Sequence, residues 1–223
     1  MYLNDKIEHT LLNPKARRVD ILHLCVEARK YKFRAVCVNP EWVNECKKAL
    51  RTTGIKVVQV YNFPTSNSTC LGGHEVDVLV KLRGVANNKK NKKIGKAILE
   101  SIVKKLEKEG VDRSRIKVII ETRVLSPKDI VVASRILADL KIGYIKSSTG
   151  LFNRVNKRTN LDDLKLIKKG INILGFIPRK LFGLYTPKIK MAGGIGTRKD
   201  AEELITNGAD VIGCSKSIKV VKE

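Results

Sequence analysis

Three charged side chains stand where apolar runs of the chain end: Asp77 in EVDVLVK, Lys146 in GYIKSSTG and Lys190 in KIKMAGG. A lysine is costly to bury unpaired, so one at the end of a strand either reaches water or is held in a pocket. A second cation beside an amine disfavours its protonated form, and the free amine can then attack a carbonyl. A carboxylate next to the pair can relay protons. The three together suit imine chemistry. Gly193-Gly194 follows Lys190, and Gly213-Cys214-Ser215-Lys216 ends the last apolar run, so two glycine-bearing turns offer backbone N–H groups to an anion such as phosphate. A phosphorylated carbonyl compound fits this set. Taken singly, each feature has an ordinary reading: a lysine snorkelling to solvent, Asp77 paired with a surface lysine, a plain Gly-Gly loop. Their common position at strand ends is what joins them.

Those strands are read from runs rich in Val and Ile that alternate with segments of helical period, the pattern of repeated β-α units. Eight are expected: Lys6–Leu12, Phe33–Val38, Lys56–Asn62, Glu75–Leu82, Lys117–Glu121, Gly143–Ser147, Lys188–Ala192 and Asp210–Cys214. Between them, Pro14–Lys30 reads as a helix. Ile94, Ile98, Ile102 and Leu106 line one face of another that stops at Gly110. Ser126-Pro127, Asn160-Leu161 and Thr197-Arg198 look like capped helix starts. Eight strands with intervening helices predict an α/β fold, a TIM (β/α)8 barrel in one domain over residues 1–223, with its reactive groups at the carboxyl ends of the strands. Only about a dozen residues separate Asn62 from Glu75, close to the minimum for a parallel crossover. A full helix does not fit there, and an imperfect barrel wall is expected.

Composition narrows the classes. The chain has 223 residues, 43% of them hydrophobic, enough for a large core. No stretch approaches the ~18 apolar residues of a membrane span, and MYLNDKIEHTLL lacks the pattern of a secretory signal, so a cytoplasmic protein with no membrane partner is expected. Five cysteines without a CxxC pair and three scattered histidines form neither a disulfide framework nor a metal motif. No metal is inferred. The net charge of +23 attracts polyanions. However, the basic residues are spread over most segments, with one dense run at Lys89, Lys90, Lys92 and Lys93, and aromatics make up only 5%. A solvated basic surface is favoured over nucleic-acid binding.

The chain resembles the deoxyribose-phosphate aldolases, class I aldolases that interconvert 2-deoxyribose 5-phosphate with acetaldehyde and glyceraldehyde 3-phosphate. The resemblance runs through IEHTLLNP, AVCVNP, NFP, EVDVLV, KVIIET, IKSSTG, KMAGGI and IGCS, in that order. It implies that Lys146 is the Schiff-base lysine, that Lys190 depresses its pKa, and that Asp77 moves protons with Lys190 and a water. It implies that Gly193, Gly194 and Ser215 hold the substrate phosphate, joined by Gly150. No cofactor is implied, and homo-oligomers are common in the family. The chain departs from the pattern in several places. The segment after NFP is short by roughly a helix. Glu8 stands in place of Asp, Lys81 adds an amine not far from Asp77, and Lys216 replaces a hydroxyl residue. The run LFNRVNKRTN is more basic than usual. The insert Phe176–Gly183 is extra, and it could serve an interface or fill the gap left by the short crossover. Two other readings remain open: a Schiff-base aldolase for another sugar phosphate, or an impaired barrel that binds polyanions through its lysine-rich run.

Overall fold

Every predicted apolar run forms a strand in the computed structural model, which describes residues 3–64, 71–151 and 159–223. The strands are β1 Ile7–Leu11, β2 Ala35–Val38, β3 Lys56–Tyr61, β4 Glu75–Leu79, β5 Ile116–Ile119, β6 Tyr144–Lys146, β7 Lys188–Ala192 and β8 Val211–Cys214. Neighbours pair in parallel in sequence order. β8 returns to β1 through Ile7↔Ile212, Glu8↔Gly213 and His9↔Cys214, which closes the barrel. The described helices are α1 Arg18–Tyr31, α2 Val43–Leu50, α3 Lys89–Lys108, α4 Pro127–Asp139, α5 Leu161–Ile171, α6 Arg198–Thr206 and α7 Ser217–Lys222. The fold is a TIM (β/α)8 barrel.

A strand buried on both faces has to be apolar outside and filled inside, which explains the continuous Val/Ile runs. The outward residues, among them Val36, Val57, Val76, Val118, Ile145, Ile189 and Ile212, join the helices in the main core. The inward residues divide into two kinds. Ala35, Cys37, Val58, Val60 and Ile119 form a small apolar cluster with Leu12 and Phe63. The rest of the interior holds buried charges: Glu8, Glu75, Asp77, Lys117, Lys146 and Lys190.

The capping residues act as expected. Ser126 Oγ accepts from the backbone N–H of Asp129, Asn160 Oδ1 from that of Asp163 and Thr197 Oγ1 from that of Asp200, each at 3.1 Å. Three expectations need correction. α1 begins at Arg18 rather than Pro14, because the Asp20 carboxylate accepts from the Arg17 N–H at 2.8 Å and fixes the first turn there. The short crossover does not breach the sheet, since β3 and β4 stay in register from Val58↔Glu75 to Tyr61↔Val78. Gln59 Oε1 draws the returning chain in by accepting from the N–H groups of Gly72 at 2.8 Å and Gly73 at 2.7 Å. Residues 65–70 of that crossover, Cys70 among them, and residues 152–158 of the basic run lie outside the described residues.

The third correction concerns α3. Its buried face is Gly95, Leu99, Val103 and Leu106, while Ile94 and Ile98 are exposed. A helix turns 100° per residue, so a strict i+4 series drifts about 40° at each step and leaves the core face. The mixed 4-4-3 spacing of the buried set stays on it. Lys89, Lys90, Lys92 and Lys93 open this helix and are exposed. The insert ahead of β7 forms a short 3-10 turn, Arg179–Phe182, and fills no gap in the wall, because Phe176, Leu181 and Phe182 are exposed. Among the described residues no helix is long and apolar enough to cross a membrane.

The reassigned face of α3 can be checked by denaturant unfolding. Leu99→Ala is expected to cost ~3 kcal/mol as a buried truncation, and Ile98→Ala to stay within ~0.5 kcal/mol.

Candidate active site

The barrel interior brings the three predicted residues onto a single atom. Lys146 Nζ, from the end of β6, donates to Asp77 Oδ2 at 2.6 Å, and Lys190 Nζ, from β7, donates to the same oxygen at 2.7 Å. Strand register makes this meeting possible, because Lys146 and Lys190 are direct partners across β6 and β7. Lys190 also pairs with Glu8 Oε2 from β1. Gly213 on β8 leaves room for the lysine stem, and a Cβ there would stand 3.0 Å from Lys190 Cε and 3.0 Å from Ala192 Cβ.

These ion pairs continue downward. Lys117 Nζ lies 2.5 Å from Glu8 Oε1, 2.6 Å from Glu75 Oε2 and 3.7 Å from Asp77 Oδ1. Arg34 bridges Glu8 and Glu75, the latter at 2.6 Å, and donates to Tyr144 Oη at 3.0 Å. Lys56 reaches Glu75 at 2.9 Å from the rim.

The charges respond to this packing. Burial alone would raise the Asp77 carboxyl, yet Lys146, Lys190 and Lys117 hold it well below the usual carboxylate range. Glu8 and Glu75 are lowered in the same way, against their own burial, chiefly by Lys117. Burial works against the Lys190 ammonium, but Asp77 and Glu8 outweigh it and hold Lys190 above the ordinary lysine range. Lys190 is therefore a fixed cation beside Lys146. Cys37, 3.9 Å from Asp77 Oδ2, is pushed up to about 11 by burial and stays a thiol at neutral pH.

Above the pair opens a cavity of about 500 Å³ whose lining includes Lys146, Gly150, Gly193, Gly194, Ser215 and Lys216. All four residues expected to hold phosphate thus face the same space as Lys146. Asp77 and Lys190 do not line it and lie beneath, 0% and 1% exposed. The hydroxyls after Lys146 hold the mouth together. Ser147 Oγ accepts from the Ala192 N–H at 2.9 Å and donates to the Ala192 carbonyl at 3.0 Å, tying the end of β6 to that of β7. Thr149 donates to Glu121 Oε2 through its N–H at 2.9 Å and its hydroxyl at 2.6 Å, and Ser148 donates to Glu121 Oε1. Gly193 has φ +104°, and a side chain there would run into Ser148 Oγ at 3.0 Å.

Sequence reasoning placed the extra amine near Asp77 at Lys81. Lys81 is exposed, and the amine beside Asp77 is Lys117. Arg34, Glu75 and Glu121 were also missed as interior residues. A signal was present in the strands themselves: side chains two apart share a face, so the inward set of β4 that holds Asp77 also holds Glu75. The parallel register then places Lys117 opposite Asp77.

An amine and a carboxylate beneath a glycine-rimmed cavity, at the carboxyl end of a (β/α)8 barrel, make a class I aldolase, a carbon–carbon lyase. No protein-family model matches the chain. The deoxyribose-phosphate aldolase of Mesomycoplasma hyopneumoniae is 35% identical over 234 residues, covering 100% of this chain and 96% of the relative. That of Clostridium botulinum is 34% identical over 236 residues, covering 100% of both chains. Among solved structures, the tetrameric deoxyribose phosphate aldolase of Aeropyrum pernix superposes with a TM-score of 0.74 at 23% identity, over 99% of this chain and 89% of that one, a likeness of fold. The chain belongs to the deoxyribose-phosphate aldolase family.

Lys190 is gripped by Glu8 and Asp77 and cannot yield to a new methyl group at Gly213. Gly213→Ala is therefore expected to lower kcat about tenfold through misplacement of Lys190, with the circular dichroism spectrum unchanged.

Proposed function

We propose that this aldolase cleaves 2-deoxyribose 5-phosphate through an imine on Lys146, as the names of its relatives suggest. The observation that carries the reading is the sharing of Asp77 Oδ2 by Lys146 and Lys190 directly beneath the cavity. Of the charges linked inside the barrel, leaving aside the half-exposed Lys56, the cations Arg34, Lys117, Lys146 and Lys190 outnumber the carboxylates Glu8, Glu75 and Asp77 by four to three. Lys146 touches one of these carboxylates, Lys190 two and Lys117 three. Lys146 thus makes the fewest ion pairs of the three amines.

The Lys146 nitrogen then adds to the aldehyde carbon of the open-chain sugar, and loss of water gives a protonated imine. That cation draws electrons as the bond between C2 and C3 breaks. The C3 hydroxyl proton passes to Asp77, directly or through a water, and glyceraldehyde 3-phosphate leaves. Protonation of the remaining enamine at C2 and hydrolysis of the imine release acetaldehyde and restore the amine. Asp77 suits the relay because its Oδ2 already spans the nucleophile and the fixed cation. The backbone at Gly150, Gly193 and Gly194, the Ser215 turn and the Lys216 cation receive the 5-phosphate.

Borohydride reduction in the presence of 2-deoxyribose 5-phosphate tests the reading. The expected result is an adduct on the peptide bearing Lys146, lost in Lys146→Ala while the fold persists, with glyceraldehyde 3-phosphate formed in the unreduced sample. An adduct confined to another lysine would overturn it. Lys190→Leu leaves three cations for three carboxylates, so its kcat/KM profile is expected to move to higher pH. A profile unchanged at neutral pH would remove Lys190 from the mechanism.

Self-association is the second part of the proposal. Leu174, Phe176, Leu181, Phe182 and Leu184 are all exposed within one segment ahead of β7, and large exposed apolar patches mark sites of association. Light scattering is expected to give a multiple of 25.0 kDa, falling to the monomer mass in a Leu181→Ser/Phe182→Ser variant. A monomeric wild type would rule out this face as an interface.

A further inference from the structure

The ion pairs inside the barrel do not stop at the residues the aldol chemistry uses. From Lys146 they pass to Asp77, Lys190, Glu8 and Arg34, and Lys117 and Glu75 close a ring beneath. Arg34 is the far end of this column. It sits just before β2, at the amino-terminal floor, beside a small cavity lined by Asp5, Lys6, Lys56, Tyr144, Lys188 and Asp210. Both ends of its fork are engaged: Nη1 meets Glu8, and Nη2 meets Glu75 and Tyr144 Oη.

We propose that Arg34 is a positioning residue for the reaction: from the barrel floor it keeps the ion column one charge above neutrality and aims Glu8 at Lys190. The proposal rests on Lys146 being the imine-forming amine. Without Arg34, the three lysines would match Glu8, Glu75 and Asp77 one for one, and Lys146 would be held as an ammonium by Asp77. With Arg34 present, one positive charge has no carboxylate of its own. A guanidinium does not give up its proton, so the surplus is relieved by a lysine, and Lys146 has the fewest ion pairs to break. A lysine at position 34 would lack the fork that joins Glu8 to Glu75 and could release the proton itself.

The column is faced from every strand, and its charge is counted over the linked ion pairs alone; the buried Glu121 carboxylate after β5 instead accepts from Ser148 and Thr149. β1 supplies Glu8, β4 supplies Glu75 and Asp77, β5 Lys117, β6 Tyr144 and Lys146, and β7 Lys190. β2 adds Cys37, an uncharged thiol, and β8 adds Gly213, which carries no charge. Lys56 of β3 and Lys188 of β7 lie at the exposed rim, where water screens them. Asp5, Lys6 and Asp210 lie at the same rim, where Asp210 accepts from the Ile189 N–H at 2.8 Å.

The test is the pH dependence of kcat/KM in four proteins: wild type, Arg34→Gln, Glu75→Gln and the double variant. Arg34→Gln is expected to move the limb at which activity rises upward by ~1 pH unit, the order expected for one charge removed from a buried, linked network. Glu75→Gln enlarges the surplus and is expected to move it down by a similar amount. The double variant restores the surplus and is expected to return close to the wild-type limb. A purely structural role for Arg34 would lower the rate without moving the limb, and the second substitution would add to the damage.

An unshifted Arg34→Gln profile, or a shift that persists in the double variant, overturns the proposal. So does an upward shift in Glu75→Gln, a readout that does not depend on Arg34→Gln folding. Borohydride labelling of Lys146 on the same samples separates the two readings. No Lys146 adduct in the wild type would defeat the assignment of Lys146 itself, whereas an adduct with an unmoved Arg34→Gln limb defeats only the role of Arg34.

Discussion

The sharing of Asp77 Oδ2 between two lysines is the constraint around which the barrel interior is built. A carboxylate and two lysine side chains out of water are tolerable only if each is paired, and the pairing has to come from different strands. Asp77 arrives on β4, Lys146 on β6, Lys190 on β7 and Glu8 on β1, so the cluster also fixes how these walls stand relative to one another. Well-packed hydrophobic residues generally fill such a space at no loss of stability, and the apolar set around Cys37, Val58, Val60 and Ile119 does so in the other part of the same barrel. The ionic part is therefore explained by chemistry rather than by stability.

Much of this was legible in the sequence because a parallel barrel has a strict grammar. Strands buried on both faces read as Val/Ile runs, and all eight could be located to within a few residues. Strand ends gather at one mouth, which brings Lys146 and the two glycine turns together, while Asp77 and Lys190, expected at strand ends, stand mid-strand beneath them. The interior below them was harder to read. Lys117 lies within KVII and Arg34 just ahead of AVCV, and a charge there looks like a surface residue at a strand boundary until closure of the barrel decides which way it points. Lys81 illustrates the same difficulty in reverse, since its nearness to Asp77 in the chain says nothing about its nearness in space. The i+4 isoleucines of α3 misled for a geometric reason, the drift of such a series around the helix.

The run of hydroxyls after Lys146 shows how the base of that side chain is kept still. Ser147 is spent on Ala192, and Ser148 and Thr149 are spent on Glu121. None of the three is left to act as a second nucleophile. They join the ends of β5, β6 and β7, so the loop that carries Gly150 and the strand that carries Lys146 move as one piece. A lysine has four rotatable bonds, and its precision comes from this fixed base and from the carboxylate that meets its tip.

The placement of Asp77 and Lys190 beneath the cavity floor bears on a problem of chemical compatibility. The protein handles reactive aldehydes, yet its surface is crowded with lysines, and Lys and Arg together number 45. An amine kept as a hydrated ammonium is a poor partner for an aldehyde, so the exterior can be strongly basic without becoming a sponge for substrate or product. Lys146 differs from the coat in meeting the buried Asp77 beside Lys190, and a lysine-rich coat and an aldehyde-handling centre can coexist in the same small protein.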